Sequence, residues 1–432
     1  MSINKAQKVN AHRLSQCLTV AARPLRVQEL AELLGFDFQA SRSGGIPTLK
    51  DDWRWDDEEE AVLSTCSSLI AIVPNGHRRV VQFSHFSVKE YLTSPRLALS
   101  PDGDVSRFHI KLEPAHTIMA QACLATLLRS DEHAGNSDIE RSPLVEYAAQ
   151  HWVDHAQFDK VSSRVRTGMD ELFDTSKPHF AAWLRVHDID ELWSGFGWSR
   201  ATGVGSPLYY AAFCGFHDLA ERLIMKHPEQ VNAFGGRSLF PLSATLFKRH
   251  FHVANLLYGH GAVVDARDSD QWTPLTAVSA SGKVDMMRWL LDHGADPNTR
   301  TWTSRTPLHI AAEYMQLQLL LEHNADANWQ SDTGRTPLSE VSNGFSSSER
   351  KTVEIVRRLL EHGADPNIPD TSHSTPLHEA SFCKWLEVLR LLLSYGAKVD
   401  EKDGDGRTPF QVAASKGYDE IAKLPLEYGA VP

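Results

Sequence analysis

The chain has 432 residues, 42% hydrophobic and 23% charged, with a formal net charge of −11. At roughly 150 residues per domain the length suggests about three domains, each able to bury a core without a disulfide or metal staple, and the composition excludes collagen-like and wholly disordered chains. Net charge is −5 over residues 1–205 and −6 over 206–432, so neither half attracts nucleic acid or anionic lipid in general.

Cys17, Cys66, Cys123, Cys214 and Cys383 lie too far apart for a CxxC pair or a zinc spacing. No stretch nears 18 uninterrupted apolar residues, and the early apolar run is too short for the centre of a signal peptide. The expectation is a soluble, intracellular, cytoplasmic protein with free thiols and no membrane segment.

Along the chain, helical patterns cover Ala11–Ala21 and Val27–Leu34, followed by the acidic, aromatic segment DDWRWDDEEEAVLSTCSSL at 51–69. LIAIV (69–73), PNGHR and RVVQF (79–83) form a hairpin signal, with Asn75-Gly76 expected to supply the positive φ angles of a tight turn. SHFSVKEYLTS returns to helix, so helices followed by one hairpin outline a winged-helix-like module over 1–100. Further helical runs, EPAHTIMAQACLATLL, PLVEYAAQHWVDHAQF and DTSKPHFAAWLRVHDID, make a helical connector over 101–205.

From 206 onward the sequence repeats. A proline recurs at Pro207, Pro241, Pro274, Pro307, Pro337, Pro376 and Pro409, in steps of 34, 33, 33, 30, 39 and 33 residues. In phase with it run GAVVD (261–265), GADPN (294–298), NADAN (324–328), GADPN (363–367), GAKVD (396–400) and a terminal GAVP. Thr273, Thr306, Thr336, Thr375 and Thr408 each place a side-chain acceptor at an N-cap, with proline at the first helical position. The glycine of each GAD is suited to end a helix in a left-handed turn. Each unit is therefore a helix, a turn, a helix and an extended finger.

The period, TPLH at 306–309 and 375–378, and GADPN together resemble ankyrin repeats, six to seven units over 206–432. The step of 30 implies a unit with a shortened turn near 311–323, either locally distorted or the product of a faulty gene model. The step of 39 reflects an insertion around SNGFSSSERK (342–351) that reads as an extended loop. Pro425 inside a second helix and Phe240 in place of a capping threonine mark weak units.

QCLTVAARPLRVQELAELLGFDF, the 51–73 segment and VVQFSHFSVKEYLTS are similar to the winged-helix region of fungal NACHT-ankyrin proteins, relatives of NOD-like receptors, and the connector continues the likeness. That resemblance covers essentially the whole chain. It implies an upstream nucleotide-binding domain, yet no GxxxxGK[ST] loop occurs; the nearest fragment, Ser281-Gly282-Lys283, has Ala277 where the first glycine belongs. The chain is expected to be a receptor fragment or a variant lacking the switch.

The resemblance also singles out His85. With Phe83, Ser87, Glu90 and Tyr91 it resembles a family pattern in which a histidine contacts the β-phosphate of ADP, with Val88 in place of the pattern's aromatic, and here only if a NACHT domain is supplied by a longer form or a separate NTPase subunit. The other reading is a histidine that caps a local helix. DNA binding is disfavoured, because the helix opening at Asp56–Glu60 carries five acids and Arg78 and Arg79 are the only wing cations.

Histidines in the repeats (His260, His293, His323, His362, and His309 and His378 of TPLH) follow the repeat and are read as structural; no metal and no cofactor are expected. There is no GxSxG elbow and the chain is not expected to be an enzyme. Protein binding remains, on the concave face and finger tips of the stack. Arg300, Trp302, Arg305 and Trp329 are the candidate anchors, with Trp272 either a fifth or packed on its own repeat. The expected function is the sensor or scaffold arm of a fungal NOD-like receptor system, the alternative a substrate-recruiting adaptor of a ubiquitin ligase or another signalling complex.

Overall fold

In the computed structural model, residues 5–38, 46–50, 57–66, 68–129, 142–190, 205–236, 240–314, 317–343 and 349–422 are described. They form two compact units: residues up to 193 together with 205–230, and residues from 231 onward. The fold is mainly α, with an N-terminal winged-helix domain and ankyrin repeats.

The first unit opens with α1 (Lys5–Val20), β1 (Leu25–Arg26) and α2 (Val27–Gly35), then the short strands β2 (Phe36–Asp37) and β3 (Thr48–Leu49) and α3 (Glu58–Cys66). The hairpin β4 (Ile70–Asn75) and β5 (Arg78–Phe83) follows, and α4 (Phe86–Thr93) leads out of it. The wing has three strands rather than two, in the order β1-β5-β4, because Leu25 and Arg26 pair with Val81 and Val80. Two residues carry no periodicity, which is why the sequence pattern misses β1. The hairpin turn also differs from expectation. Asn75 pairs with Arg78 inside the ladder, and Gly76 alone takes a positive φ, +62°; the turn is Gly76-His77, with glycine in its first central place.

After α5 (Pro95–Ala98) and α6 (Gly103–Ser106), helices α7 (Leu112–Leu127) and α8 (Val145–Ala156) form a packed pair. Then come α9 (Val161–Arg164), α10 (Arg166–Leu172) and α11 (His179–Val186). Leu14, Cys17, Leu30, Leu33, Met119, Cys123 and Leu124 are fully or almost fully buried. An aromatic cluster, Trp152, Phe173, Phe180 and Trp183, extends this core to Tyr210 of the first repeat helix, α12 (Pro207–Phe213), and to Phe216, which precedes α13 (His217–Lys226). That helix pair thus belongs to the first compact unit.

Buried polar contacts tie the winged helix to the connector. The Glu32 carboxylate accepts from Ser142 Oγ (2.8 Å) and the Leu144 amide (2.9 Å). Glu29, also fully buried, accepts from Arg23 (2.6 Å), and Arg26 reaches Glu146 (2.7 Å). Burial raises both buried carboxyls above the ordinary glutamate range against the pull of these partners. Tyr147 Oη accepts from the Ala22 amide (3.0 Å) and lies 2.9 Å from His155 Nε2, whose ring burial holds down to a pKa of about 3.

In the second unit the helix pairs begin at Pro241, Pro274, Pro307, Pro337, Pro376 and Pro409, and each proline is the first helical residue. Thr273, Thr336 and Thr408 accept from the amide three residues on, whereas Phe240 provides no side-chain cap. Gly261, Gly294, Gly363 and Gly396 lie near φ +85°, and Asn324 takes the same left-handed region at +63°. In the short unit the second helix spans only Leu317–Glu322, with 315–316 outside the described residues. The insertion is less loop-like than expected: Glu349, Arg350 and Lys351 begin a 13-residue helix, Glu349–Glu361, while 344–348 lie outside the described residues. Pro425 and the terminal GAVP also fall outside them.

Candidate functional site

The fingers between helix pairs are built by one local device repeated along the stack. Two residues before the helix-capping position, Gln271, Ser304, Gly334, His373 and Gly406 all take positive φ between +56° and +77°. At the other side of four of these tips a short polar side chain closes the turn: Asp268, Asp370 and Asp403 each accept two backbone amides, for example Asp268 Oδ1 from Trp272 at 2.7 Å. Thr301 does the same for the Arg305 amide at 3.2 Å.

Successive tips are then joined by single backbone bonds: Trp302 N to Asp270 O (3.1 Å), Asp332 N to Thr303 O (3.1 Å), Thr371 N to Thr333 O (3.0 Å) and Gly404 N to Ser372 O (2.8 Å). Gly334 is required where it stands, since a Cβ there would come within 2.7 Å of the Thr371 amide nitrogen.

A second ladder runs at the finger bases. The side-chain amides of Asn232, Asn298, Asn328 and Asn367 donate to a carbonyl of the next unit and their oxygens accept an amide two residues beyond it; Asn328, for instance, joins Gly363 O (2.9 Å) and Asp365 N (2.7 Å). The in-phase asparagine of GADPN and NADAN was the signal for this ladder. It passes through the short unit unbroken, so the missing residues do not disturb the fingers.

The repeat histidines are occupied by their own backbone. Nδ1 of His260, His293, His323 and His362 lies 2.7–2.9 Å from the carbonyl four residues back, at a helix end. His309 accepts the Thr306 amide on Nδ1 (3.1 Å) and donates from Nε2 to Arg335 O (3.1 Å); burial lowers its pKa to about 4. His378 does the same between Thr375 and Arg407, its pKa also lowered by burial. No cluster of metal-ligating side chains occurs among the described residues.

Of the candidate anchors, Trp302 is the most open, 68% exposed on a finger tip. The Arg300 guanidinium lies over the half-buried ring of Trp329, 4.8 Å from its centroid, and the Arg300 carbonyl accepts from Arg267 (2.9 Å). Arg300 and Trp329 thus form one cation–π pair across neighbouring fingers. Arg305 is turned elsewhere, to Glu340 of the next unit at 2.7 Å, and Trp272 is half-buried beside its own capped turn.

The repeats also hold a cleft of about 400 Å³ lined by Arg335, Asp370, His378, Glu379, Asp403 and Arg407. These charges are paired within the chain, Arg335 with Glu379 (3.0 Å) and Arg407 with Asp403 (2.9 Å). Sequence reasoning missed the Arg305–Glu340 and Arg335–Glu379 pairs, although an arginine directly before TPL and a glutamate four residues after the next capping threonine are visible in the text of the repeat.

In the first unit, His85 is the N-cap of α4: its Nδ1 accepts from the Ser87 amide (3.2 Å) and sits 2.7 Å from Ser87 Oγ. Phe86, Tyr91 and Leu99 nearby are 72%, 50% and 82% exposed. Both wing cations are paired with acids, Arg79 with Glu59 and Arg78 with Glu146. Cys17, Cys123 and Cys214 are buried and not disulfide-bonded, and burial pushes Cys17 up to about 12. Among the described residues, no helix is long and apolar enough to cross a membrane.

Comparison with known proteins agrees with this architecture. The family model "Ankyrin repeats (3 copies)" matches residues 208–301 and 345–432, and "Ankyrin repeat" matches 304–332. The model "GPI inositol-deacylase, winged helix domain" matches residues 1–105. The chain therefore carries an N-terminal winged-helix domain and an array of ankyrin repeats, a fold that serves as a scaffold for protein–protein interaction. A curated relative, the azaphilone pigments biosynthesis cluster protein L of Monascus ruber, is 30% identical over 270 residues. The match takes in 58% of this chain and 55% of that one, so the chain spans about half the length of the relative. Among solved structures, the ankyrin repeat domain of Bcl-3 is 28% identical, with a TM-score of 0.45, covering 50% of this chain and 98% of that domain.

Proposed function

We infer that this protein is the recognition part of a receptor of the NACHT-ankyrin type, in which residues 206–432 capture a protein ligand and residues 1–100 and 101–205 connect that arm to a nucleotide-driven switch. What supports the reading is the order of parts, a winged-helix match over 1–105 followed by ankyrin matches through 432. The ligand-binding edge is centred on Trp302 and the Arg300–Trp329 pair, flanked by Arg305 and Trp272. A large exposed tryptophan beside a guanidinium held by its neighbour is the composition of an interface anchor. Binding is non-enzymatic. The exposed Phe86, Tyr91 and Leu99 are the surface through which the winged helix meets the switch, and His85 becomes a nucleotide contact only in that assembly.

The experiment is purification of the chain with a tandem affinity tag from the cells that make it, followed by identification of the bound proteins with and without ATP. Recovery of an NTPase subunit, or of oligomers that form only with ATP, supports the receptor reading. Recovery of a ubiquitin-ligase core with no NTPase overturns it.

A further inference from the structure

The first unit holds a file of titratable side chains that the repeats and the wing do not use. Tyr147 and His155 of α8 are 0% and 1% exposed. His116 of α7 lies half-buried beside them, stacked on the Phe158 ring at 4.2 Å. The Ala22 amide reaches Tyr147 Oη (3.0 Å), Tyr147 Oη lies 2.9 Å from His155 Nε2, and His155 Nδ1 lies 3.0 Å from His116 Nδ1. The file thus starts in the turn between α1 and β1 of the winged helix and ends in the connector.

Counting donors fixes its protons. The Ala22 amide can only donate, so Tyr147 Oη accepts there and gives its own hydrogen to His155 Nε2. A neutral imidazole carries one N–H. That of His155 is therefore on Nδ1 and points at His116 Nδ1, which is the bare nitrogen, and His116 carries its hydrogen on Nε2. In this arrangement every hydrogen from Ala22 to His116 meets an acceptor, and there is no place for another. If His116 becomes an imidazolium, its Nδ1–H faces the Nδ1–H of His155, or the two rings reverse their roles and the Tyr147 hydroxyl hydrogen is left with no acceptor. A buried donor without a partner costs more than one hydrogen bond contributes.

We propose that His116, His155 and Tyr147 form a pH-sensitive latch between the connector and the winged helix, closed while His116 is neutral and released when it takes up a proton. The latch is independent of the partner that the repeats bind. Burial lowers the pKa of both histidines from the ordinary 6.5, that of His155 to about 3. The released form therefore takes up protons first, so closure is complete above pH 6.5 and is lost as the pH falls below it.

The surrounding charges are few or already paired. After burial, His155 feels His116, Asp154 and His151 in that order, and Asp154 lies 3.1 Å from His151. Cys17 of α1, Cys123 of α7 and Arg23 bear on Tyr147. Arg164 of α9 is paired with Glu113 of α7 at 2.5 Å, and Asp170 and Glu171 of α10 with Arg222 and Lys177, both at 2.5 Å. From α11 come His179, which is buried, and Arg185, which is exposed.

The test is hydrogen exchange of the full chain, read as the protection of the Ala22 amide after correction for the intrinsic effect of pH. In the parent, protection should fall about threefold or more from pH 7.5 to pH 5.5. His116→Gln offers His155 an amide oxygen as acceptor, cannot take up the proton and keeps every other titrating group, so its protection should hold at both pH values. Tyr147→Phe removes the hydroxyl, and its Ala22 amide should exchange fast at both. Circular dichroism melts at pH 7.5 show whether each variant folds; if Tyr147→Phe does not, the parent and His116→Gln decide. An equal fall in the parent and His116→Gln, no fall in the parent, or full protection in a folded Tyr147→Phe overturns the proposal.

Discussion

The two regions of this protein use buried polar groups in different ways. Between α2 and the segment that enters α8, each polar contact is unique: Glu32 is held by Ser142 and the Leu144 amide, more than a hundred residues away, and by Arg129 at 3.5 Å. In the repeats, the same contact is made again every unit, between neighbours about thirty residues apart, as with Asn298, Asn328 and Asn367. Losing one member should therefore be severe in the first region and local in the second. In a stack each unit depends chiefly on its neighbours, whereas a buried carboxylate with no substitute leaves a hole in a single network.

The sharpest break of this contrast is Glu32→Ala. It strands the Leu144 amide and the Ser142 hydroxyl, and a loss of about 3 kcal/mol is expected, the scale for removing one partner of a buried charged network. Hydrogen exchange should show the amides of α2 and α8 loosened together, with those of Pro376–Ser394 unchanged.

A change of pH acts on the repeats on a similar scale. His309 is neutral in the fold, with a pKa of about 4 against an ordinary 6.5. Its contribution is fully present above pH 6.5. It is lost as pH falls from 6.5 to 4, because the unfolded chain takes up the proton first. At about 1.4 kcal/mol per pKa unit, the loss reaches roughly 3 kcal/mol, measured as a fall in the urea midpoint of the repeats between pH 7 and pH 4. In His309→Gln that part of the fall should vanish.

Asn328→Ala removes two hydrogen bonds between adjacent units. A cost of about 1–2 kcal/mol is expected, with faster exchange confined to the fingers on either side of 328. The smallest effect has the opposite sign. His373 holds a φ of +57° that glycine adopts freely, so His373→Gly should stabilise the stack by about 0.5 kcal/mol in a thermal melt.

The same contrast explains what could be read from the sequence. Threonine before proline and glycine after the second helix dictate their own backbone conformations, so helix starts and stops were legible. The positive φ of Gln271, Ser304 and His373 was not, because the tip forces it on whichever residue stands there. The Asn75 and Gly76 assignment failed for a related reason: the ladder absorbs Asn75 and leaves the turn to Gly76-His77. Nothing in the Val27–Leu34 pattern marks Glu29 and Glu32 as core residues; the distant Ser142 and Leu144 hold Glu32, and Arg23 holds Glu29. For the candidate site, exposure of Trp302 followed from its place on the finger. The stacking of Arg300 on Trp329 and the capture of Arg305 by Glu340 depend on the offset between neighbouring units, which spacing alone does not fix.

The central claim is that the finger tips around Trp302 bind a protein. The most direct measurement is the affinity of a captured partner for the parent chain, for Arg300→Ala/Trp302→Ala, and for Tyr395→Ala, which removes a 43% exposed aromatic from the end of a second helix. The double variant is expected to bind at least tenfold more weakly, with an unchanged melting temperature, while Tyr395→Ala binds as the parent does. An unchanged affinity for the double variant, together with a loss for Tyr395→Ala, would contradict the account and move the interface to the outer helices.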